Sequence, residues 1–168
     1  MSRKKPKKVR DDPQDIDTII HSFENYALGD IKDNANKPIA CMILCMCFID
    51  QLASFGYPIL MDSNKRPEAF INDYMPDFKG LDLYDMFRHN LIHTYSSGDR
   101  FCITNEGYEE APFTKINERT YINTHIFVAQ LDSAFRDFVK QLRDDKSPAH
   151  QNAIENSKYH PVLVGKDS

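Results

Sequence analysis

An apolar segment over residues 37–55 limits the folds that are open to this chain of 168 residues. Its side chains are apolar on nearly every side, which is typical of a helix that other helices enclose. Pro38 fits the first turn of such a helix, and Gly56-Tyr57-Pro58 would end it. The sequence therefore predicts a helical bundle with this segment as its central helix.

Nothing in the sequence predicts a membrane span or an export signal. The most apolar part of the central helix, residues 39–48, is shorter than the roughly 20 residues that a bilayer span needs. The basic N-terminus lacks the apolar stretch that a secretory signal would place behind it. We therefore expect a cytoplasmic protein that does not enter a membrane.

Apolar stripes at helical spacing predict further helices around the central one. They cover residues 15–29 and 124–142, and a short helix is also expected over residues 67–74. Gly29 marks the expected end of the first helix, Ser63 or Asn64 would cap the short one, and Thr124 would cap the long one. One further short helix is expected in the C-terminal segment.

Two short runs of β-branched and aromatic residues predict a small sheet late in the chain. They cover residues 101–104 and 120–123, with a polar loop between them, and would form a two-stranded β-hairpin. The predicted fold class is therefore all-α in the main, with this hairpin added. We expect a disordered basic leader over residues 1–13, a helical domain over 14–145 and a C-terminal extension over 146–168.

The net charge of −4 conceals an asymmetry along the chain. Residues 1–10 hold six basic residues and no acidic ones, which leaves 15 basic and 25 acidic residues, or −10, in residues 11–168. A basic tail can bind nucleic acid without sequence preference, and it can equally be a disordered leader that aids solubility. The acidic body argues against a broad DNA-binding surface.

The four cysteines do not have the spacing of a zinc site. Cys41 and Cys45 would share one face of the central helix, Cys47 would point elsewhere, and Cys102 lies in the first predicted strand. We expect reduced thiols buried in the core, with a redox or metal role for them as the alternative, and we expect neither a metal nor a cofactor.

The densest group of reactive side chains lies in RHNLIHTY, residues 88–95. We call the helix predicted over residues 81–95 the motif helix. At about 100° per residue, its core-facing side contains Leu83, Tyr84, Phe87 and Leu91. Its polar sector contains Asp85, Arg88, His89, His93 and Tyr95. Asp85 lies three residues before Arg88 and can hold its guanidinium in place, and Asp50 on the central helix is a further candidate for the same site.

The polar sector has three interpretations. It can be an ordinary solvated helix face. It can be a metal site through His89 and His93, although no third ligand is apparent and Arg88 would repel a cation. It can be a phosphate site, in which Arg88 neutralises negative charge and His93, with an ordinary pKa near ~6.5, moves a proton.

The motif resembles that of the HEPN superfamily, whose signature is Arg, a polar residue, a short spacer and His on a late helix of an all-α bundle. Here the signature corresponds to Arg88, His89 and His93. Tyr95 is similar to the additional tyrosine of the HEPN toxins of toxin–antitoxin pairs. The resemblance implies a HEPN-like helical bundle over residues 14–145. The predicted hairpin with its loop and the C-terminal extension depart from a minimal bundle of this kind.

The resemblance also implies a function. HEPN ribonucleases cut RNA without metal, use the ribose 2′-hydroxyl as nucleophile, and work as homodimers with two motifs in one cleft. By analogy, Arg88 binds the scissile phosphate, His93 is the general acid or base, and His89 assists. Tyr95 matches a tyrosine that a partner nucleotidyltransferase modifies. Such a modification would keep RNA out of the cleft, because it adds negative charge and bulk. The alternative is a non-catalytic HEPN-like module that binds a nucleotide or mediates dimerisation.

Overall fold

The computed structural model describes residues 11–84, 87, 90, 91, 100–105 and 111–162. Helices form most of this part of the chain, as the sequence predicts, and a small sheet is added to them. The helical elements are α1 (Ile16–Ser22), a π-helical turn (Phe23–Leu28), α2 (Gly29–Asp33), α3 (Pro38–Gly56), α4 (Arg66–Tyr74), a 3-10 turn (Pro76–Phe78), α5 (Thr124–Arg143) and α6 (Pro148–Asn156). The strands are β1 (Phe101–Thr104), β2 (Phe113–Ile116) and β3 (Arg119–Asn123).

The predicted central helix is α3, and α4, α5 and α6 all pack against it. Within the described residues, α3 is the one helix that is long and apolar enough to cross a membrane by length and composition. Half of its apolar window is buried inside the molecule. The core helix of a soluble protein has the same properties, because it must be apolar wherever its neighbours cover it.

Aromatic side chains join α3 to the first and last long helical segments. The ring of Phe23 meets those of Phe48, Phe55 and Phe135 edge-on, with centroids 5.8, 5.4 and 6.3 Å apart. Edge-on packing brings the positive rim of one ring to the negative face of another. These four buried rings fix the relative positions of the π-helical turn, α3 and α5.

The first helical segment begins where the sequence predicts but continues further. Asp15 caps α1, because its Oδ1 accepts a 2.8 Å hydrogen bond from the N–H of Thr18. The predicted end at Gly29 is wrong, since Gly29 has helical angles (φ −58°, ψ −55°) and starts α2. Ile31 is fully buried in that extra turn. Burial of its side chain therefore favours continuing the helix, despite the unfavourable propensity of glycine.

The sheet differs from the predicted hairpin. Its strand order is β1-β3-β2. The two predicted strands, β1 and β3, are parallel neighbours in which Ile103 lies opposite Ile122. The antiparallel hairpin is formed by β2 and β3 instead. The predicted pairing is therefore wrong, because a third strand lies within the segment that was expected to be a polar loop.

Two predicted helix caps are also wrong. Asn123 rather than Thr124 caps α5, since its side-chain oxygen accepts a 3.2 Å hydrogen bond from a backbone N–H three residues further on. α4 begins at Arg66 without a side-chain cap, so neither Ser63 nor Asn64 serves there. In both cases the predicted helix is present and begins within a residue of its expected start.

The segment after residue 145 contributes to the packed core. Its buried apolar residues are Ala149, Ala153 and Val162. The buried amide of Asn156 donates hydrogen bonds of 2.7 and 2.8 Å to the carbonyls of Ser54 and Tyr57. Carbonyls at a helix C-terminus lack partners within the helix. α6 therefore completes the C-terminal end of α3.

Candidate functional site

Most of the predicted site lies outside the described residues. Asp85, Arg88, His89, His93 and Tyr95 all belong to that part, and Asp50 is the predicted site residue that the structure describes. The structure does describe Leu83, Tyr84, Phe87, Asn90 and Leu91 of the motif helix and the residues that flank the motif segment.

The core-facing side of the motif helix is buried, as predicted. Leu83, Tyr84, Phe87 and Leu91 are helical and at most 2% exposed. The ring of Phe87 packs against that of Phe101 in β1, with centroids 5.3 Å apart. The sequence therefore predicted correctly that these four residues are helical and that they form a buried face.

The start of the motif helix is held by α4. Glu68 Oε2 on α4 accepts a 3.3 Å hydrogen bond from the backbone N–H of Tyr84. The first N–H groups of a helix lack partners within the helix and favour negative charge, so Glu68 caps the motif helix from another element. Two residues before the motif helix have left-handed backbones, Gly80 (φ 74°) and Asp82 (φ 49°). The N–H of Gly80 donates a 2.8 Å hydrogen bond to Asn72 Oδ1 on α4.

A groove of about 810 Å³ lies beside α4, and we call it the α4 groove. Its charged and amide side chains include Asp62, Lys65, Glu68, Asn72, Asp82 and Arg100. Asp82 and Arg100 flank, in sequence, the segment that carries the motif residues. Residues on both sides of the motif segment in sequence therefore line the same groove.

The charge of Asp50 acts on a histidine outside the predicted site, His160. Asp50 is exposed on α3, and His160 follows α6. Burial and then the nearby charge of Arg66 lower the pKa of His160, and Asp50 offsets part of that shift.

Arg66 is itself 9% exposed. Within the described part of the chain, its buried Nε and Nη1 atoms have no hydrogen-bond partner. The charges of Asp50 on α3 and Arg66 on α4 thus both act on His160 in the turn after α6. Whether Asp50 also supports Arg88 and His93 stays a prediction.

The cysteines follow the predicted faces of α3 but are not all buried. Cys41 and Cys45 are buried and free, Cys47 is exposed and Cys102 is partly exposed, so the expected burial is wrong for Cys47. Burial raises the pKa of the Cys45 thiol well above its usual value, which keeps it protonated and unreactive. Among the described residues, no group of three or more His, Cys, Asp or Glu side chains could hold a metal ion.

Comparisons with known proteins do not place the chain in a family. No protein-family model, no curated protein sequence and no solved structure matches it. The resemblance to the HEPN superfamily therefore depends on the motif residues in the sequence alone.

Sequence reasoning missed the residues of the α4 groove. Lys65 and Glu68 lie three residues apart at the start of α4, but both are far in sequence from Arg100 and from the motif. The one local signal is that Arg100 follows shortly after the motif segment. Their proximity depends on how α4 packs beside the motif helix, which is a property of the tertiary structure.

Proposed function

We propose that this protein is a HEPN-like, metal-independent endoribonuclease that acts as a homodimer in the cytoplasm. The observation that carries the proposal is the sequence motif of Arg88, His89 and His93, supported by the burial of Leu83, Phe87 and Leu91, the described core-facing residues of the predicted motif helix. Burial of Leu83 and Phe87 fixes the rotation of a helix about its axis, because turning it would expose both side chains to water. This rotation supports the expectation that the polar sector faces away from the core.

In the proposed mechanism, Arg88 binds the scissile phosphate through its planar fork of N–H donors and stabilises the charge that develops on phosphorus. The ribose 2′-hydroxyl attacks the phosphorus, the bond to the 5′-oxygen of the next nucleotide breaks, and a 2′,3′-cyclic phosphate forms. His93 takes the proton of the 2′-hydroxyl or protonates the leaving 5′-oxygen, and His89 assists. Asp85 holds the guanidinium of Arg88, and a two-fold axis brings the motifs of two chains to one phosphate.

Tyr95 gives the proposed enzyme a means of control. A partner nucleotidyltransferase that attaches a nucleotide to the Tyr95 hydroxyl would add negative charge and bulk beside the cleft. RNA would then be excluded by repulsion between phosphates and by steric overlap. This arrangement suits a toxin–antitoxin or defence setting, with the transferase as antitoxin.

The proposal predicts RNA cleavage in the presence of EDTA. We expect the wild-type protein to cut a 5′-labelled single-stranded RNA, and Arg88→Ala and His93→Ala each to slow cleavage by about 100-fold or more, because each removes a transition-state interaction. Rates are read from denaturing gels, and thermal melting followed by circular dichroism checks that each variant is folded.

The matched control is Arg136→Ala, which removes an exposed arginine of α5 that pairs with Asp132. It should cleave at the wild-type rate. Cleavage that survives both motif substitutions would overturn the proposal. A wild-type protein that dimerises or binds a nucleotide without cutting RNA would instead support the non-catalytic module.

A further inference from the structure

We infer that the α4 groove binds a nucleotide of the RNA substrate next to the cleavage site, with Lys65 and Arg100 bound to backbone phosphates. This inference rests on the proposed function. The volume of about 810 Å³ lies within the range of roughly 300–1,000 Å³ that is usual for small-ligand sites. Asp82 and Arg100 line the groove and flank the motif segment in sequence, so we expect a strand whose scissile phosphate lies at the motif to continue into it.

Lys65 and Arg100 are available to bind an external anion. Both are exposed and line the groove. In the described part of the chain, neither forms an ion pair, although three carboxylates line the same groove. The guanidinium of Arg100 can bind two oxygens of one phosphate, and the ammonium of Lys65 acts as a compact charge on another.

The carboxylates limit how much of a strand the groove can hold. Asp62, Glu68 and Asp82 repel phosphates from the remainder of the lining. A polyanion can therefore place only the phosphates next to Lys65 and Arg100 in the groove. The groove would therefore hold a single nucleotide between these phosphates. The hydroxyl and amino groups of that nucleotide are hydrogen-bond donors suited to carboxylate oxygens.

Asn72 adds a polar contact of defined direction. Its Oδ1 accepts a hydrogen bond from the N–H of Gly80, so its amide nitrogen is the part that can donate to a ligand. A donor of this kind suits the carbonyl and ring-nitrogen acceptors of a nucleobase. The groove thus combines phosphate-binding cations, carboxylate acceptors and an amide donor.

The test measures RNA binding in a His93→Ala background, which keeps RNA intact under the proposed mechanism. The probe is a fluorescent single-stranded RNA of about twelve nucleotides, followed by anisotropy at several salt concentrations. Lys65→Ala/Arg100→Ala should lower the affinity at least tenfold near 100 mM salt. It should also lower the slope of log affinity against log salt by about 1.4, because each phosphate on a single strand contributes ~0.7.

The matched control in the same background is Arg136→Ala/Lys146→Ala, which removes the same two charges from exposed positions that do not line the groove. It should bind like the parent. Lys65→Gln/Arg100→Gln replaces the alanine pair if thermal melting shows that the latter fails to fold.

Equal affinity and salt dependence in the two double variants would overturn the inference, as would a parent that does not bind RNA. The outcome of the cleavage experiment is independent of the outcome of this binding experiment. A wild-type protein that binds RNA through the groove but does not cut it contradicts the proposed function and supports the groove. A protein that cuts RNA while the groove variant binds like its control contradicts the inference alone.

Discussion

At the scale of single residues, Asp15 determines where the first helix begins. Its Oδ1 accepts a 2.8 Å hydrogen bond from the N–H of Thr18, and its Oδ2 accepts one of 2.6 Å from the Thr18 hydroxyl. Both bonds favour the ionised carboxylate and lower the pKa of Asp15 below its usual value. The cap should therefore stabilise the fold in a way that depends on pH.

We predict that Asp15→Ala lowers the free energy of unfolding by about 1 kcal/mol at pH 7. The folded pKa of Asp15 lies below the unfolded value of ~3.9, so the ionised cap stabilises the fold above that pH and is lost as pH falls through the folded pKa. Urea unfolding at pH 7 and pH 3 measures the difference. Asp12→Ala, at an exposed position before the cap, is the control, and an Asp15→Ala loss that is equal at both pH values would contradict the prediction.

At the scale of elements, α6 is fastened to the end of α3 by two asparagines. The buried Asn156 donates to the carbonyls of Ser54 and Tyr57, and the half-buried Asn152 donates a 2.9 Å hydrogen bond to the carbonyl of Gly56. These three carbonyls lie where α3 ends and the chain leaves toward α4. The contacts join residues that are about a hundred positions apart in sequence.

Asn156→Ala should therefore cost more than Asn152→Ala. The first leaves two carbonyl acceptors without their partner and should lower the free energy of unfolding by about 2–3 kcal/mol, whereas the second removes one bond and should cost about 1 kcal/mol. Urea unfolding of both variants beside the wild type gives the comparison. Two losses of the same size would show that the paired contacts of Asn156 carry no additional stability.

The elements that the sequence predicted correctly are those whose signal is local. α3 and α5 have long apolar patterns, and their bounds lie within a residue or two of those expected. β2 has no such signal, because Phe113–Ile116 is short, half polar and stabilised by pairing with β3. The parallel pairing of β1 with β3 likewise depends on how the intervening chain folds back, which composition does not show.

The candidate site likewise has one part that the sequence predicts and one part that only the tertiary structure shows. The buried face of Leu83, Phe87 and Leu91 follows from helical periodicity alone, and the structure confirms it. That Lys65 and Arg100 line one groove depends on the tertiary packing around α4, which has no counterpart in sequence spacing. Periodicity therefore predicts which face of an element docks, whereas the partner against which it docks needs the tertiary structure.

At the scale of the whole molecule, the distribution of charge limits how RNA could bind. Residues 11–168 have a net charge of −10, from 15 basic and 25 acidic residues. A body of this kind repels a polyanion over most of its surface. Binding must then depend on a few cations at the site, which include Arg88 in the proposed mechanism and Lys65 and Arg100 in the groove. The basic residues 1–10 lie outside the described structure and are a further source of positive charge.

The proposed dimer makes a prediction about mixtures of inactive variants. If two motifs face one cleft, a heterodimer of an Arg88→Ala chain with a His93→Ala chain still has one Arg88 and one His93 in that cleft. Random exchange of subunits would place about half of the chains in such heterodimers. We expect the mixture to cut RNA in EDTA at least tenfold faster than either variant alone. In the control, Arg88→Ala is mixed with Arg88→Ala/His93→Ala, which supplies no Arg88 to any cleft and should stay inactive. A test mixture as inactive as this control would contradict a shared cleft, because each chain would then need its own Arg88 and His93.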